Sequence, residues 1–310
     1  MKPSNRKPSK KKGMNPQIQK QQNQVLIVKE EMELLPFLLM ELKHKSRNAT
    51  KSVLTRGQVS INGQVVTKHN ELLKVGQKVE ILDNKTSMSE QILVGIEIVY
   101  EDEDLIVIEK ESGMLSIATG KGPEITAHSQ LMGYVKKDHP KNRIYIVHRL
   151  DRDTSGLMLF AKNEKMKKTL QENWKDIVIE RQYTALVEGN VKKNSGTITS
   201  WLTESKTMKM YSSSFDNGGK QAITHYKKIR GNDNYSLLEV NLDTGRKNQI
   251  RVHMEDIGHP IVGDKKYGAH GNPLKRLGLH ASILVLKHPV TDKKIKFVSK
   301  VPKKFYAAVK

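Results

Sequence analysis

The sequence predicts an α+β protein with a mainly antiparallel, mixed β-sheet in its larger C-terminal part and a small α/β module before it. Three observations lead there. From about residue 92 onward, many short β-rich runs occur that do not alternate regularly with helical stretches, which argues against a doubly wound fold. Two short helices precede an Asn62-Gly63 pair set between apolar runs, a strong short-range hairpin signal. Hydrophobic residues make up 36% of the chain, enough for a core, but no apolar run reaches the roughly 18 residues that a membrane span needs.

Composition narrows the function classes. The 310 residues suffice for one catalytic domain and a smaller module. Cysteine is absent, which excludes disulfides, thiolate nucleophiles and Cys-ligated metal sites. Met1-Lys2-Pro3-Ser4 opens without an apolar signal region, so a cytoplasmic protein is expected. Lys and Arg total 54 against 33 Asp and Glu, a formal net charge of +21. An excess of this size points to a polyanionic partner. The basic residues are spread along the chain rather than along one apolar-faced helix, which favours nucleic acid over a membrane surface.

Residues 1–24 carry Lys2, Arg6, Lys7, Lys10, Lys11, Lys12 and Lys20 with no acidic residue and almost nothing apolar. Burial there cannot offset the entropy of ordering, so a disordered basic arm is expected, either RNA-touching or merely solubilising. Order should begin with the β-rich run Gln24–Val28 and continue through a helix bearing Leu34, Leu35, Phe37, Leu38, Leu39 and Leu42. Ser46 and Asn48 offer capping chemistry to a second helix that carries Val53 and Leu54 and stops at Gly57. The hairpin around Asn62-Gly63 follows, then a strand at Val79–Leu82.

Over residues 33–82 this order resembles the S4 RNA-binding module, through the leucine helix, the basic second helix, Gly57–Gly63 and Lys74–Val79. An S4-like domain is therefore expected at 25–82, with Lys43, Lys45, Arg47, Lys51 and Arg56 on phosphates. A run of charge is more often just a solvated face; the module and the +21 surplus tip the balance. Residues 83–90 are polar and unpatterned and read as a linker to a domain at 91–310. In that domain β-runs are expected at 96–100, 105–108, 144–147, 157–160, 183–187, 222–226, 237–242 and 283–286. Helices are expected around 126–136, 163–174 and 247–257.

The densest chemistry lies at His148-Arg149-Leu150-Asp151-Arg152-Asp153-Thr154-Ser155-Gly156, a charged loop between two β-rich runs. Loops held by rigid strands can expose and position reactive groups, although acidic loop residues by themselves are usually turn formers. With Leu157, this loop resembles the signature of the RluA-type pseudouridine synthases. Further matches follow in family order at Arg181–Gly189, Gly219–Tyr226, Thr244–His253, Gly258–Asp264, Leu279–Ala281 and His288-Pro289.

The resemblance implies the pseudouridine synthase fold and an isomerisation of uridine within RNA, without cofactor or metal. The C1′–N1 bond breaks, the base turns, and C5 bonds C1′. It makes Asp151 the catalytic carboxylate, Arg251 its basic partner and Tyr183 the ring against the target base. Carboxylate chemistry at an anomeric carbon has a parallel in glycosidases. Arg149 would approach the flipped nucleotide, since the reacting atoms are sequestered in stacked RNA. Arg152 and Lys220 are further candidates for RNA phosphates, or else solvated charges. His148 and His253 are expected to make structural hydrogen bonds, Asp153 to serve a turn, and Asp264 to be structural.

Two departures from the family pattern stand out: Glu111 where a Pro is usual, and Lys247-Asn248 where Thr-His usually precedes Gln-Ile-Arg. They bear on which RNA is read. Structured ribosomal RNA is the expected substrate, transfer RNA the alternative, and a monomer the expected state. The other readings are a non-catalytic S4-type RNA-binding protein, against which the intact triad argues, and a hydrolase using Asp151 and Asp153.

Overall fold

The computed structural model describes residues 24–55, 57–66, 68–81, 93–120 and 124–310. Most of the expected basic arm, the whole expected linker and Arg56 lie outside the described residues. The chain divides into two compact units, Met1–Glu90 and Gln91–Lys310. Among the described residues no helix is long and apolar enough to cross a membrane.

In the first unit, β1 (Gln24–Ile27), β3 (Val59–Ile61), β4 (Gln64–Val65) and β6 (Lys78–Ile81) form an antiparallel sheet in the order β1-β6-β3-β4. The β3–β4 turn is Asn62-Gly63, with φ of 50° and 84°, the left-handed pair that a two-residue hairpin needs. A two-stranded ribbon, β2 (Met32–Glu33) with β5 (Leu72–Leu73), was not foreseen; runs so short carry no periodicity. Helix α1 (Leu34–Glu41) tolerates Pro36 because a first-turn N–H has no intrahelical partner. Helix α2 (Arg47–Thr55) starts where Ala49 N donates to Ser46 Oγ at 3.2 Å. Leu34, Phe37, Leu38, Leu54, Val59 and Val79 meet in one core.

The second unit is built on an eleven-stranded sheet, the mainly antiparallel mixed sheet that the irregular β-runs predicted. Its strands are β7 (Ile96–Glu101), β8 (Leu105–Lys110), β9 (Tyr145–Ile146), β10 (Ser155–Ala161), β11 (Val178–Glu188), β12 (Ser195–Glu204), β13 (Met210–Ser213), β14 (Lys220–Gly231), β15 (Tyr235–Leu242), β16 (Leu279–Lys287) and β17 (Lys294–Val298). The path runs β13-β12-β14-β15-β11-β16-β10-β8-β7, with β17 on β16 and β9 on β10. Among the described strands only β10 and β16 pair in parallel.

Helices cover both faces of the strands around β10. Leu157 and Leu159 point toward α4 (Glu164–Glu172) and α5 (Trp174–Ile177), while Met158 and Phe160 point toward α3 (Ala127–Asp138). All seven residues of β10 are buried, which is why the strand reads as one apolar run rather than an alternating one. The helix expected at 163–174 is two helices, broken at Asn173. Helix α6 (Gln249–Asp256) begins two residues late because Asn248 is left-handed, φ 53° and ψ 20°.

Candidate active site

The loop 147–154 has little regular structure, yet its backbone is held from residue to residue. Buried Ser116 Oγ donates to Leu150 O at 2.7 Å and accepts from Leu150 N at 3.3 Å. Arg152 O accepts from Gly113 N at 2.9 Å and from Lys110 Nζ at 3.0 Å. Ser112 Oγ donates to Asp153 O at 2.7 Å, and Thr154 N to Asp151 O at 3.2 Å. Segment 110–116 therefore clamps the carbonyls on either side of Asp151.

Lys110 is fully buried and also donates to Glu111 O and Met114 O, at 2.9 and 2.7 Å. Burial pulls its ammonium down to about 7, while Asp153 and Asp151 oppose that pull. Just beyond the loop, Gly156 at φ 109° lies so close to β16 that a Cβ there would sit 2.1 Å from Ala281 O. Glycine is what lets the loop descend into the parallel pair.

Two elements converge on Asp151. Helix α6 carries Arg251, whose Nη1 donates to Asp151 Oδ2 at 3.0 Å. The fork of the same guanidinium faces a second carboxylate: Nε and Nη2 donate to Asp264 Oδ2 and Oδ1 at 2.6 and 2.8 Å. Asp264, expected only to be structural, is thus Arg251's main partner, and Asp151 takes the remaining edge. Burial would lower the guanidinium pKa, but Asp264 and Asp151 outweigh it and hold Arg251 above its ordinary value. Tyr267, fully buried in the 3-10 turn Lys265–Tyr267, lies under Arg251 at 5.0 Å from ring centroid to guanidinium carbon.

Strand β11 supplies Tyr183 at a register shift: Gln182 pairs with Ile283, but Tyr183 with Ala281. Such irregularities re-aim a side chain. The ring packs against two apolar clusters, and among the described residues nothing hydrogen-bonds its hydroxyl. Burial raises its pKa; Arg181 pulls the other way and Asp151 adds to the rise, so at neutral pH Tyr183 is a phenol. Asn248, at the start of α6, donates from Nδ2 to Asp151 Oδ2 at 2.5 Å.

Asp151, Tyr183, Asn248 and Arg251 line an open cleft with Arg149, Arg246, Leu150, Leu242 and Leu279 among its walls. Arg149 is exposed there. Arg152 instead forks onto its neighbour Asp153 at 3.1 and 3.3 Å. Lys220 is exposed at the start of β14 and does not line the cleft. In the first unit Lys43, Lys45, Arg47 and Lys51 are all exposed, the first two between α1 and α2 and the others one turn apart on α2.

His148 Nε2 accepts from Leu159 N, and His253 bonds Ser200 and Thr224 through its two nitrogens, so both serve structure. Sequence reading gave no role to Asn248 or Arg246. The spacing of Asn248 and Arg251, three residues apart at a helix start, was the signal that could have found Asn248.

Comparisons with known proteins agree on one family. The family model described as RNA pseudouridylate synthase matches residues 104–256. An uncharacterized RNA pseudouridine synthase of Synechocystis sp. is 33% identical, covering 87% of this chain and 85% of its own. Ribosomal large subunit pseudouridine synthase D of Haemophilus influenzae is 31% identical, covering 84% of this chain and 85% of its own. Human RNA pseudouridylate synthase domain containing 4 shares the fold at a TM-score of 0.56 and 23% identity, over 68% of this chain and 90% of that one.

Proposed function

The chain belongs to the RNA pseudouridylate synthase family, and from that premise we propose that it isomerises uridines of structured ribosomal RNA, with Asp151 as the catalytic carboxylate. The observation that carries the site assignment is the convergence of Asp151, Arg251 and Tyr183 on one cleft. A relative named for the ribosomal large subunit supports the choice of RNA.

The chemistry needs an ionised carboxylate oxygen beside C1′ or C2′ of the ribose, whether it bonds C1′ or takes the C2′ proton. Arg251 donates a charge-assisted hydrogen bond to the Asp151 carboxylate and fixes the direction in which it points. Tyr183, as a neutral phenol, offers its ring for stacking against the freed base and its hydroxyl for proton relay at C5. Arg149 and Arg246 give the flanking phosphates positive partners at the mouth of the cleft. Residues 25–82 act in this reading as an S4-like anchor. Support comes from their two helices on a small sheet and from the exposed cations Lys43, Lys45, Arg47 and Lys51. None of the four pairs with an acidic side chain among the described residues.

The test is to incubate the protein with an unmodified large-subunit ribosomal RNA transcript and map pseudouridine by carbodiimide-dependent reverse-transcription stops. Discrete new stops are expected, and none with Asp151→Asn. Stops on transfer RNA transcripts alone would overturn the choice of RNA, and release of free uracil would overturn the reaction.

A further inference from the structure

We propose that Asn248 is a positioning residue for the Asp151 carboxylate: its amide, locked by Tyr267, holds Oδ2 and leaves Oδ1 as the oxygen that meets the ribose. This deepens the reading of Asp151 as the catalytic carboxylate and rests on it.

The direction of the amide follows from the hydrogen bonds behind it. Met210 N donates to the Tyr267 hydroxyl oxygen at 3.1 Å, which leaves the hydroxyl proton to be given away. Tyr267 gives it to Asn248 Oδ1 at 3.1 Å. With Oδ1 so engaged, the NH2 end must face Asp151, and it donates to Asp151 Oδ2 at 2.5 Å. A backbone N–H on β13 thereby sets which way the amide points.

Arg251 Nη1 donates to the same Oδ2, and among the described residues nothing donates to Asp151 Oδ1. The two carboxylate oxygens are thus unequal: Oδ2 is doubly held, and Oδ1 receives no hydrogen bond among the described residues. Asn248 itself is 9% exposed, sits at the helix start, and makes no cap bond to α6. Its left-handed backbone, φ 53°, is one that Asn tolerates better than most residues. The residue is therefore spent on Asp151 rather than on its helix.

An amide does not titrate, so here the donor to Oδ2 is present at every pH. The charged groups around the pair are Arg251, Asp264, Lys266, Lys110 and Arg152, and the neutral Tyr267 closes the site behind them.

The test compares parent, Asn248→Gly, Asn248→Asp, Tyr267→Phe and Asp151→Asn on an unmodified large-subunit ribosomal RNA transcript. Single-turnover rate at saturating RNA, RNA affinity and the pH profile are read for each. Asn248→Gly deletes the amide and keeps the left-handed backbone unstrained. It is expected to slow the single-turnover step about 10- to 100-fold, the worth of one charge-assisted hydrogen bond, with RNA affinity unchanged. Asn248→Asp is nearly isosteric and sets a second carboxyl against Asp151; the shared proton is expected to move the acid limb of the profile upward by about one pH unit or more. Tyr267→Phe, which frees the amide to turn, is expected to fall between parent and Asn248→Gly. A parental rate in Asn248→Gly, or an unmoved acid limb in Asn248→Asp, overturns the proposal. Turnover by Asp151→Asn would instead overturn the assignment of Asp151, which keeps the two failures distinct.

Discussion

Replacing Arg251 by Met tests the carboxylate–guanidinium–carboxylate chain at its centre. The Asp264 side chain is 1% exposed, and both of its oxygens receive their side-chain hydrogen bonds from Arg251. Arg251→Met strands that carboxylate in the interior, a loss of about 3–5 kcal/mol. In a domain the size of residues 91–310, each kcal/mol moves the melting temperature by about 2–4 °C, so a drop of about 10 °C is expected. Adding Asp264→Asn removes the stranded charge and should recover most of that drop. It should not recover the single-turnover rate, because Asp151 still lacks its cation. The assay is thermal unfolding by circular dichroism beside single-turnover kinetics on the same four proteins, both single variants included. An Arg251→Met protein that melts with the parent, or a double variant that regains activity, would refute the reasoning. Weaker RNA binding with an unchanged rate would make Arg251 a phosphate ligand instead.

Three other outcomes follow from the same structure. Burial holds His253 and His280 at about 4, below the ordinary value of 6.5. Their stabilising share is complete above pH 6.5 and is lost as pH falls toward 4, at up to about 1.4 kcal/mol per pH unit for each; denaturant midpoints that match at pH 7 and pH 5 would contradict this. Changing Lys43, Lys45, Arg47 and Lys51 together to Gln should flatten the slope of log RNA affinity against log salt by about 0.7–0.9 for every phosphate no longer neutralised, with the saturating rate untouched; an unchanged slope rejects the anchor role. Gly156→Ala should give little soluble protein, because the new methyl would overlap the Ala281 carbonyl at a φ of 109°; a normal yield with a parental melt would count against the close approach of β10 and β16.

What was legible in the sequence was local. Asn62-Gly63 specifies its hairpin because two adjacent residues both take left-handed φ, and Ser46 caps the start of α2 by accepting from Ala49 N three residues on. The position of Asp151 between two β-runs was also readable, and the resemblance to the RluA-type pattern implied that Tyr183 and Arg251 belong with it. The partners of those residues were not. Arg251 chose Asp264 for its fork, and Asp151 is met by Asn248 from 97 residues away. Such pairings arise only when β10 descends beside β16, which Gly156 permits, and when α6 settles on the sheet to aim Asn248 and Arg251 at one oxygen. Turns and caps are decided by neighbours a few bonds away, whereas hydrogen-bond partners across a core are decided by how all the packed elements share the same space.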